Sequence, residues 1–505
     1  MSRKSVIIIG AGYGGLALGN LLAKAGYKVD IYEKNSAPGG RIQAIKQDGF
    51  VFDLGPSWYL MPEVFEQYYS LFGETPQERL DLVRFAPGYK VFFQNKPSIE
   101  VYGDVDKDKN LFESLEPGAG KKLKAYVDNS SHAYRIAVEY FLYNNFTRLR
   151  DIFRWQVIAS SPKMLTLVSK SLDRYVSTYF NDLRLKQLLE YHMVFLGSSP
   201  FQAPAIYTLM SHLDFKSGIF YPKRGMTALV DDMIWFGEKF GVTYHYDSPV
   251  SKIITKGSCA TGVEVNGKTI RADIIISNAD LQHTETVLLS QEHQTYPKKY
   301  WEKRQSGPGC LIISLGIEGK LDVLTHHNLF FVNEWRENFD AIYVEHKLPK
   351  DASMYICNPN KTDKSLAPDN HENIFVLIPL PSGVSLSNES KNGLVATAIS
   401  ILSEMTGQQD LERRIVSKHV FTPDDMRERF NAWQFNAFGG ESHLLSQSVI
   451  FRTGNQSKKL KNLYYVGAGT LPGIGLPMCL ISAEQTYKKI RGISKSGRLT
   501  KGDIQ

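Results

Sequence analysis

The stretch SVIIIGAGYGGLALGNLLAKAGYKVDIYEKNSAPGGR, Ser5 to Arg41, constrains what this chain can fold into more than any other. Val6 to Ile9 is apolar at every position, the pattern of a central parallel strand covered on both faces. Gly10, Gly12 and Gly15 come next with the spacing G-x-G-x-x-G. The first permits a tight turn, the second lets a pyrophosphate approach the backbone, and the third lets helix pack on strand. Leu16 to Ala25 reads as a helix stopped by Gly26, with its N-terminus presented to that phosphate, and Lys28 to Tyr32 as a second strand. Glycine turns are common, so the spacing alone is weak. Glu33 strengthens it: it ends the second strand, 23 positions after Gly10, where an acid accepts hydrogen bonds from a ribose 2′-hydroxyl and argues against the 2′-phosphate of NADP.

The residues just beyond Glu33 separate NAD from FAD. APGGR, Ala37 to Arg41, places two more glycines and an arginine past the second strand, in position to fold back onto the same pyrophosphate. Here the sequence resembles the large flavoprotein group that contains amine oxidases, carotenoid desaturases and the Rab escort or GDP-dissociation-inhibitor proteins, in which a G-G-R segment helps to hold FAD.

The chain has 505 residues, more than one hydrophobic core usually serves, so two or three structural units are expected. With 43% hydrophobic and 22% charged residues the composition is that of an ordinary folded protein. A net charge of +7 is mild for this length and argues against a dedicated nucleic-acid binder, while leaving room for a local basic face toward anionic lipid. Cys259, Cys310, Cys357 and Cys479 lie far apart without C-x-x-C or Cys/His clustering, so reduced thiols are expected and neither a metal site nor a disulfide framework. Arg3 and Lys4 run straight into the first strand, unlike a signal peptide, and no run approaches the ~20 apolar residues of a transmembrane helix.

Three stations rich in glycine or strand pattern, near residues 6 to 57, 221 to 280 and 463 to 490, are separated by long segments with more helical and aromatic character. The middle one predicts a helix from Met226 to Phe240, strands at Val242 to Tyr246, Val250 to Ile254 and Gly262 to Val265, and an apolar strand in ADIIISNAD, Ala272 to Asp280. In the third, Leu463 to Val466 is a strand, Gly467 and Gly469 make a turn, and a helix starts at Leu476. No further strand with a terminal acid comes after it, so this is not a second dinucleotide fold but a glycine-walled helix N-terminus closing over the flavin end of the same cofactor. The fold class is therefore α/β: a Rossmann-like FAD-binding domain built from discontinuous segments (1–75, 221–290 and 440–493), with an inserted α+β substrate and membrane-binding region (a helical 76–220, then 291–439). Residues 494–505 are expected to form a flexible tail.

With all three stations in place, the sequence is identified as resembling the bacterial-type phytoene desaturase family over nearly its whole length. Besides GAGYGGLALG and APGGR, the matching blocks include FVFDLGPSWYLMP (Phe50 to Pro62), GSSPFQAPAIYTLM (Gly197 to Met210), HVFTPDD (His419 to Asp425), LLSQSVIFR (Leu444 to Arg452) and VGAGTLPGIGLP (Val466 to Pro477). Two positions differ: Leu471 stands where the family commonly has histidine, and Arg224 where it has glycine before Gly225. The resemblance implies an FAD contact set of Gly10, Gly12, Gly14, Gly15, Glu33, Lys34, Gly40, Arg41, Gly55, Pro56, Ser57, Val250, Gly467, Gly469, Gly475, Leu476 and Pro477. FAD is expected to be non-covalent, since Cys479 is outside the short motif that anchors flavin in some amine oxidases.

It further implies desaturation of an acyclic carotene such as phytoene or 4,4′-diapophytoene, recognised by an elongated apolar tunnel because the substrate has nothing to hydrogen-bond. Asp151 and Arg154, three apart on an expected helix, correspond to an acid and an arginine that family members place by the reactive end of the flavin; the competing reading is a solvated ion pair. Around them Tyr140, Phe141, Tyr143, Phe146, Phe153 and Trp155 interleave with Arg135, Arg148, Arg150 and Lys163, a mixture suited to a bilayer interface or, alternatively, to a core. A peripheral enzyme of the cytoplasmic membrane face is expected, passing electrons to oxygen or a quinone. A carotenoid oxygenase or isomerase would share these motifs, an escort protein would bind a prenyl chain without catalysis, and a polar amine oxidase is a further alternative.

Overall fold

The structure is a computed structural model that describes residues 3–144, 161–448 and 451–504. Its nucleotide layer is a five-stranded, wholly parallel sheet of β1 (Ser5–Ile9), β2 (Lys28–Tyr32), β3 (Thr243–His245), β4 (Ile274–Ser277) and β5 (Leu463–Tyr465). Their order is β5-β4-β1-β2-β3. The central position of β1 reflects its composition: Val6 to Ile9 are at most 5% exposed, covered from both faces. On one face α1 (Tyr13–Lys24), α2 (Ala228–Phe240) and α3 (Leu476–Arg491) pack together. The other face carries an antiparallel three-stranded sheet (Val250–Lys256, Cys259–Val265 and Lys268–Arg271), whose Ile253, Ala260 and Val263 pack on Ile7, Ile9 and Ile275. The chain thus returns to one sheet from three distant parts of the sequence, the α/β class expected above.

The second body is a seven-stranded sheet in the order Ile415–Phe421, Gly309–Glu318, His371–Leu380, Met354–Cys357, His327–Phe331, Tyr89–Phe93 and Lys96–Val101. All its pairings are antiparallel except that of His327–Phe331 with Tyr89–Phe93, so segments 76–220 and 291–439 share one sheet. Gly309–Glu318 is buried at every residue but Glu318, because the helix Asn388–Thr406 covers one face while Ala119–Ile136 and its neighbours fill the core on the other.

The expectation of a flexible C-terminal tail does not hold for residues 494–504. Leu499 and Ile504 are 3% and 0% exposed in the core beside α3. The Leu499 amide donates to Glu484 Oε2 (2.8 Å), and the Tyr487 hydroxyl to the Asp503 carbonyl (2.9 Å). Two apolar anchors in a polar stretch suffice to tie it down, and a reading by composition overlooks them.

Candidate active site

At its N-terminus α1 meets the turn after β5. No side chain caps α1, and its first turn holds no acid, so its amides are left for an anion. A Cβ at Gly14 would lie 2.9 Å from the Gly467 Cα, and one at Gly15 would lie 2.6 Å from the Gly10 carbonyl oxygen. These glycines bring two backbone turns into direct contact. Asn278, just past β4, is the wedge between them: its Nδ2 donates to the Val466 carbonyl (2.9 Å), and its Oδ1 is buried without a partner among the described residues. Sequence reading passed over Asn278, although SNAD after an apolar strand marked the turn that carries it.

The Gly39 amide donates to the Ala11 carbonyl (2.8 Å), which lays Gly39–Arg41 on the first glycine turn. Glu33 is 5% exposed; its Oε2 accepts from the Ala11 amide (2.8 Å) and its Oε1 from the Asn35 amide and side chain (2.9 and 2.8 Å). Carboxylate oxygens have lone pairs to spare for hydroxyls after these contacts. Arg41 donates through one terminal nitrogen to the Asn436 carbonyl (3.1 Å), lies against the Phe430 ring, and keeps a buried Nε without a partner among the described residues. Burial pushes its guanidinium below the ordinary value, with Asp280 opposing. Asp280 is itself occupied by the amides of His283 and Trp433, and burial raises its pKa.

A second cover comes from the helix Pro423–Phe430. Thr422 and Asp425 form a reciprocal capping box at its start, and Asn431 ends it in the left-handed conformation (φ 51°). Lys34 Nζ donates there to the Glu428 carbonyl (2.5 Å) and to Asn431 Oδ1 (3.3 Å). Burial lowers the Lys34 pKa. The block HVFTPDD therefore builds a lid that sequence reading did not assign.

One cavity of about 1000 Å³ is lined by Glu33, Lys34, Arg41, Asn278, Asp280 and Asn431, at the upper end of the ~300–1,000 Å³ typical of ligand sites. Of the seventeen cofactor candidates, all but Gly15 and Gly467 line it; those two sit behind the wall in the glycine contact. Gly469, Gly475, Leu476 and Pro477 line it at the start of α3, which again has no acid in its first turn and Pro477 among its first residues. The cavity continues into an apolar lobe walled by Tyr134, Phe141, Leu142, Met164, Val168, Phe195 and Leu209.

Sequence reasoning also passed over His443 and Arg452, which line the same cavity. The His443 Nδ1 lies 2.5 Å from the Leu196 carbonyl and therefore carries the proton. Burial and the Arg452 charge hold the ring neutral, below its ordinary pKa. Arg224 has φ 73°, a conformation that favours glycine. Asp151 and Arg154 lie outside the described residues, as do Phe146, Arg148, Arg150, Phe153 and Trp155.

An anion-ready helix N-terminus, a half-buried arginine with an unspent donor and an acid poised for hydroxyls fit the pyrophosphate and ribose of FAD. A second acid-free helix start, at Gly475 to Pro477, lines the same cavity. These features define a two-body flavoprotein whose cofactor cleft opens into an apolar chamber.

A family model for flavin containing amine oxidoreductases matches residues 13–486. The carotenoid 3,4-desaturase of Haloarcula japonica is 39% identical over 490 residues, covering 97% of this chain and 98% of its own length. The zeta-carotene-forming phytoene desaturase of Myxococcus xanthus is 33% identical, covering 98% and 96%. An oxidoreductase from Methanosarcina mazei superposes with a TM-score of 0.63 at 16% identity, over 95% of this chain and 98% of that one, a likeness of fold. The chain belongs to the flavin containing amine oxidoreductases and, within them, to the carotenoid desaturase family. It is an FAD-dependent oxidoreductase.

Proposed function

We propose that this protein introduces carbon–carbon double bonds into an acyclic carotenoid, phytoene or a phytoene-like carotene. The observation that carries the reading is one cavity of about 1000 Å³ whose wall combines the glycine turns, Glu33 and Arg41 with apolar side chains such as Phe141, Leu142, Met164, Val168, Phe195 and Leu209. FAD, when bound, would supply the two-electron oxidation by which a hydride equivalent and a proton leave adjacent carbons beside the polyene. The chain's own part is to hold the hydrocarbon in register, which the apolar lobe does by shape and by excluding water. Asp151 and Arg154 fall in sequence between the cavity-lining Leu142 and Met164 and are proposed to handle the departing proton and its charge.

A membrane source for such a substrate is required by its insolubility. Leu165 (68% exposed), Leu445 (48%) and Phe451 (54%) are exposed on the segments that supply Met164, Val168 and Leu445 to the cavity wall. They suit a peripheral contact with the cytoplasmic membrane face, and a quinone or oxygen there would reoxidise the flavin. Among the described residues no helix is long and apolar enough to cross a membrane.

The higher identity to the 3,4-desaturase than to the phytoene desaturase favours a second reading, in which the substrate is an already conjugated carotenoid desaturated near its end. Expression in a non-pigmented bacterium supplied with phytoene, diapophytoene or lycopene distinguishes them. Loss of two-hydrogen units with a red-shifted spectrum from either phytoene carries the first reading, and from lycopene alone the second. A yellow, FAD-containing protein that changes none of the three overturns both and leaves oxygenase or isomerase chemistry. Asp151→Asn is expected to lower turnover about 100-fold or more while FAD content stays full.

A further inference from the structure

We propose that His326, His327 and Cys357 form a binding site for one divalent transition-metal ion of the zinc type, set in the wall behind the cavity. The three are 5%, 0% and 2% exposed, and their ligand atoms all lie within 4.8 Å of one another. Strand pairing assembles them. His327 opens the strand His327–Phe331 and is the direct cross-strand partner of Cys357, which ends Met354–Cys357; His326 comes immediately before.

Each imidazole is already held by a hydroxyl on one side: His326 Nδ1 lies 2.6 Å from Thr362 Oγ1, and His327 Nδ1 lies 2.7 Å from the Tyr355 hydroxyl. The other nitrogen of each ring, Nε2, is buried and has no partner among the described residues. This is the arrangement of metal-bound histidine, whose remote nitrogen is pinned by an outer group that fixes ring and tautomer. Without an ion, two buried ring nitrogens beside a thiol stay unsatisfied, a costly state for a protein interior.

The donor set also selects the ion. Two imidazoles and one thiolate suit zinc, cobalt or copper, and not the oxygen-seeking magnesium or calcium. Ligands at about 2.0–2.3 Å from a tetrahedral ion are about 3.3–3.6 Å apart, so an edge of 4.8 Å closes by about 1.2–1.5 Å. A thiol binds such an ion as the thiolate, so binding is expected to release its proton. His327 stacks on Trp58 at 4.5 Å, and Trp58 lines the cavity, so the ion would stiffen the wall against which the substrate packs.

The test uses the full-length, FAD-loaded protein. Purified from cells grown with zinc, it is expected to retain about one zinc per chain through gel filtration. After chelation, Co²⁺ is expected to titrate to one equivalent with a thiolate-to-cobalt charge-transfer band. Cys357→Ser abolishes the band and the retained zinc. Thr362→Val, which leaves all three ligands in place, weakens Co²⁺ about 10- to 100-fold with an unchanged flavin spectrum, and it serves alone if the serine variant does not fold. A wild-type protein that retains no zinc and shows no cobalt band overturns the site. So does a folded Cys357→Ser protein that still holds its zinc, or a Thr362→Val protein with wild-type Co²⁺ affinity.

Discussion

Replacing Gly14 by alanine tests the contact on which the cofactor cleft is built. The added Cβ would stand 2.9 Å from the Gly467 Cα, 3.2 Å from the Gly467 amide nitrogen and 3.3 Å from Asn278 Nδ2. Two of these are backbone atoms, so no side-chain rotation relieves the clash. Carbon atoms attract best at ~3.5–4.0 Å, so the start of α1 and the turn after β5 must separate by about 0.5 Å or more. Overpacking of this kind costs about 1–3 kcal/mol. Gly14 lines the cavity expected to take the dinucleotide, so the cost is expected as about 5- to 150-fold weaker FAD binding or a matching loss of stability. The assay is the FAD-to-protein ratio after gel filtration, an FAD titration of the apoprotein, and thermal unfolding of both forms.

Gly393→Ala is the control. Gly393 lies inside the helix Asn388–Thr406 with no atom within 4 Å of its added Cβ, so the same substitution gains about 0.8–1.0 kcal/mol of helix propensity and leaves FAD untouched. A Gly14→Ala protein with full FAD content, unchanged affinity and an unchanged unfolding temperature would refute the reasoning.

Arg41→Met removes a half-buried cation whose Nε has no partner among the described residues, and is expected to weaken FAD about 10- to 150-fold, the worth of a hydrogen bond to a charged group, while the apoprotein unfolds at no lower temperature. A fall in apoprotein stability with unchanged FAD affinity would reverse the assignment. Glu190 is fully buried, accepts from the Trp335 indole (2.9 Å), and is raised by burial to about 8. Its proton is bound more tightly folded than unfolded, so its contribution to stability is present below about pH 4.5 and is lost as pH rises toward 8. Against Glu190→Gln, the wild type is expected to lose roughly 3 kcal/mol between pH 5 and pH 8, read by denaturant unfolding at both pH values; parallel profiles would show that Glu190 is ionised in the fold.

Sequence by itself determined the nucleotide layer and many of the residues that line the large cavity. β1, the glycine turn, α1, β2 and Glu33 are contiguous, and their patterns are local: an all-apolar run, fixed glycine spacing, an acid at a strand end. The strand and helix after Val242 and Leu476 were legible for the same reason. What brings separate segments together was not. Asn278 acts through its position between Gly12, Gly14, Gly15 and Gly467, which no spacing reveals. The C-terminal residues looked like a polar tail until Leu499 and Ile504 found the core beside α3. Cysteine spacing argued against a metal site, yet antiparallel pairing sets Cys357 opposite His327, thirty positions away in sequence. Local patterns arise from backbone periodicity and steric limits within a few residues, so they are written in the chain. Which side chains face one another across a sheet or a cavity depends on register and packing, and only the tertiary structure decides that.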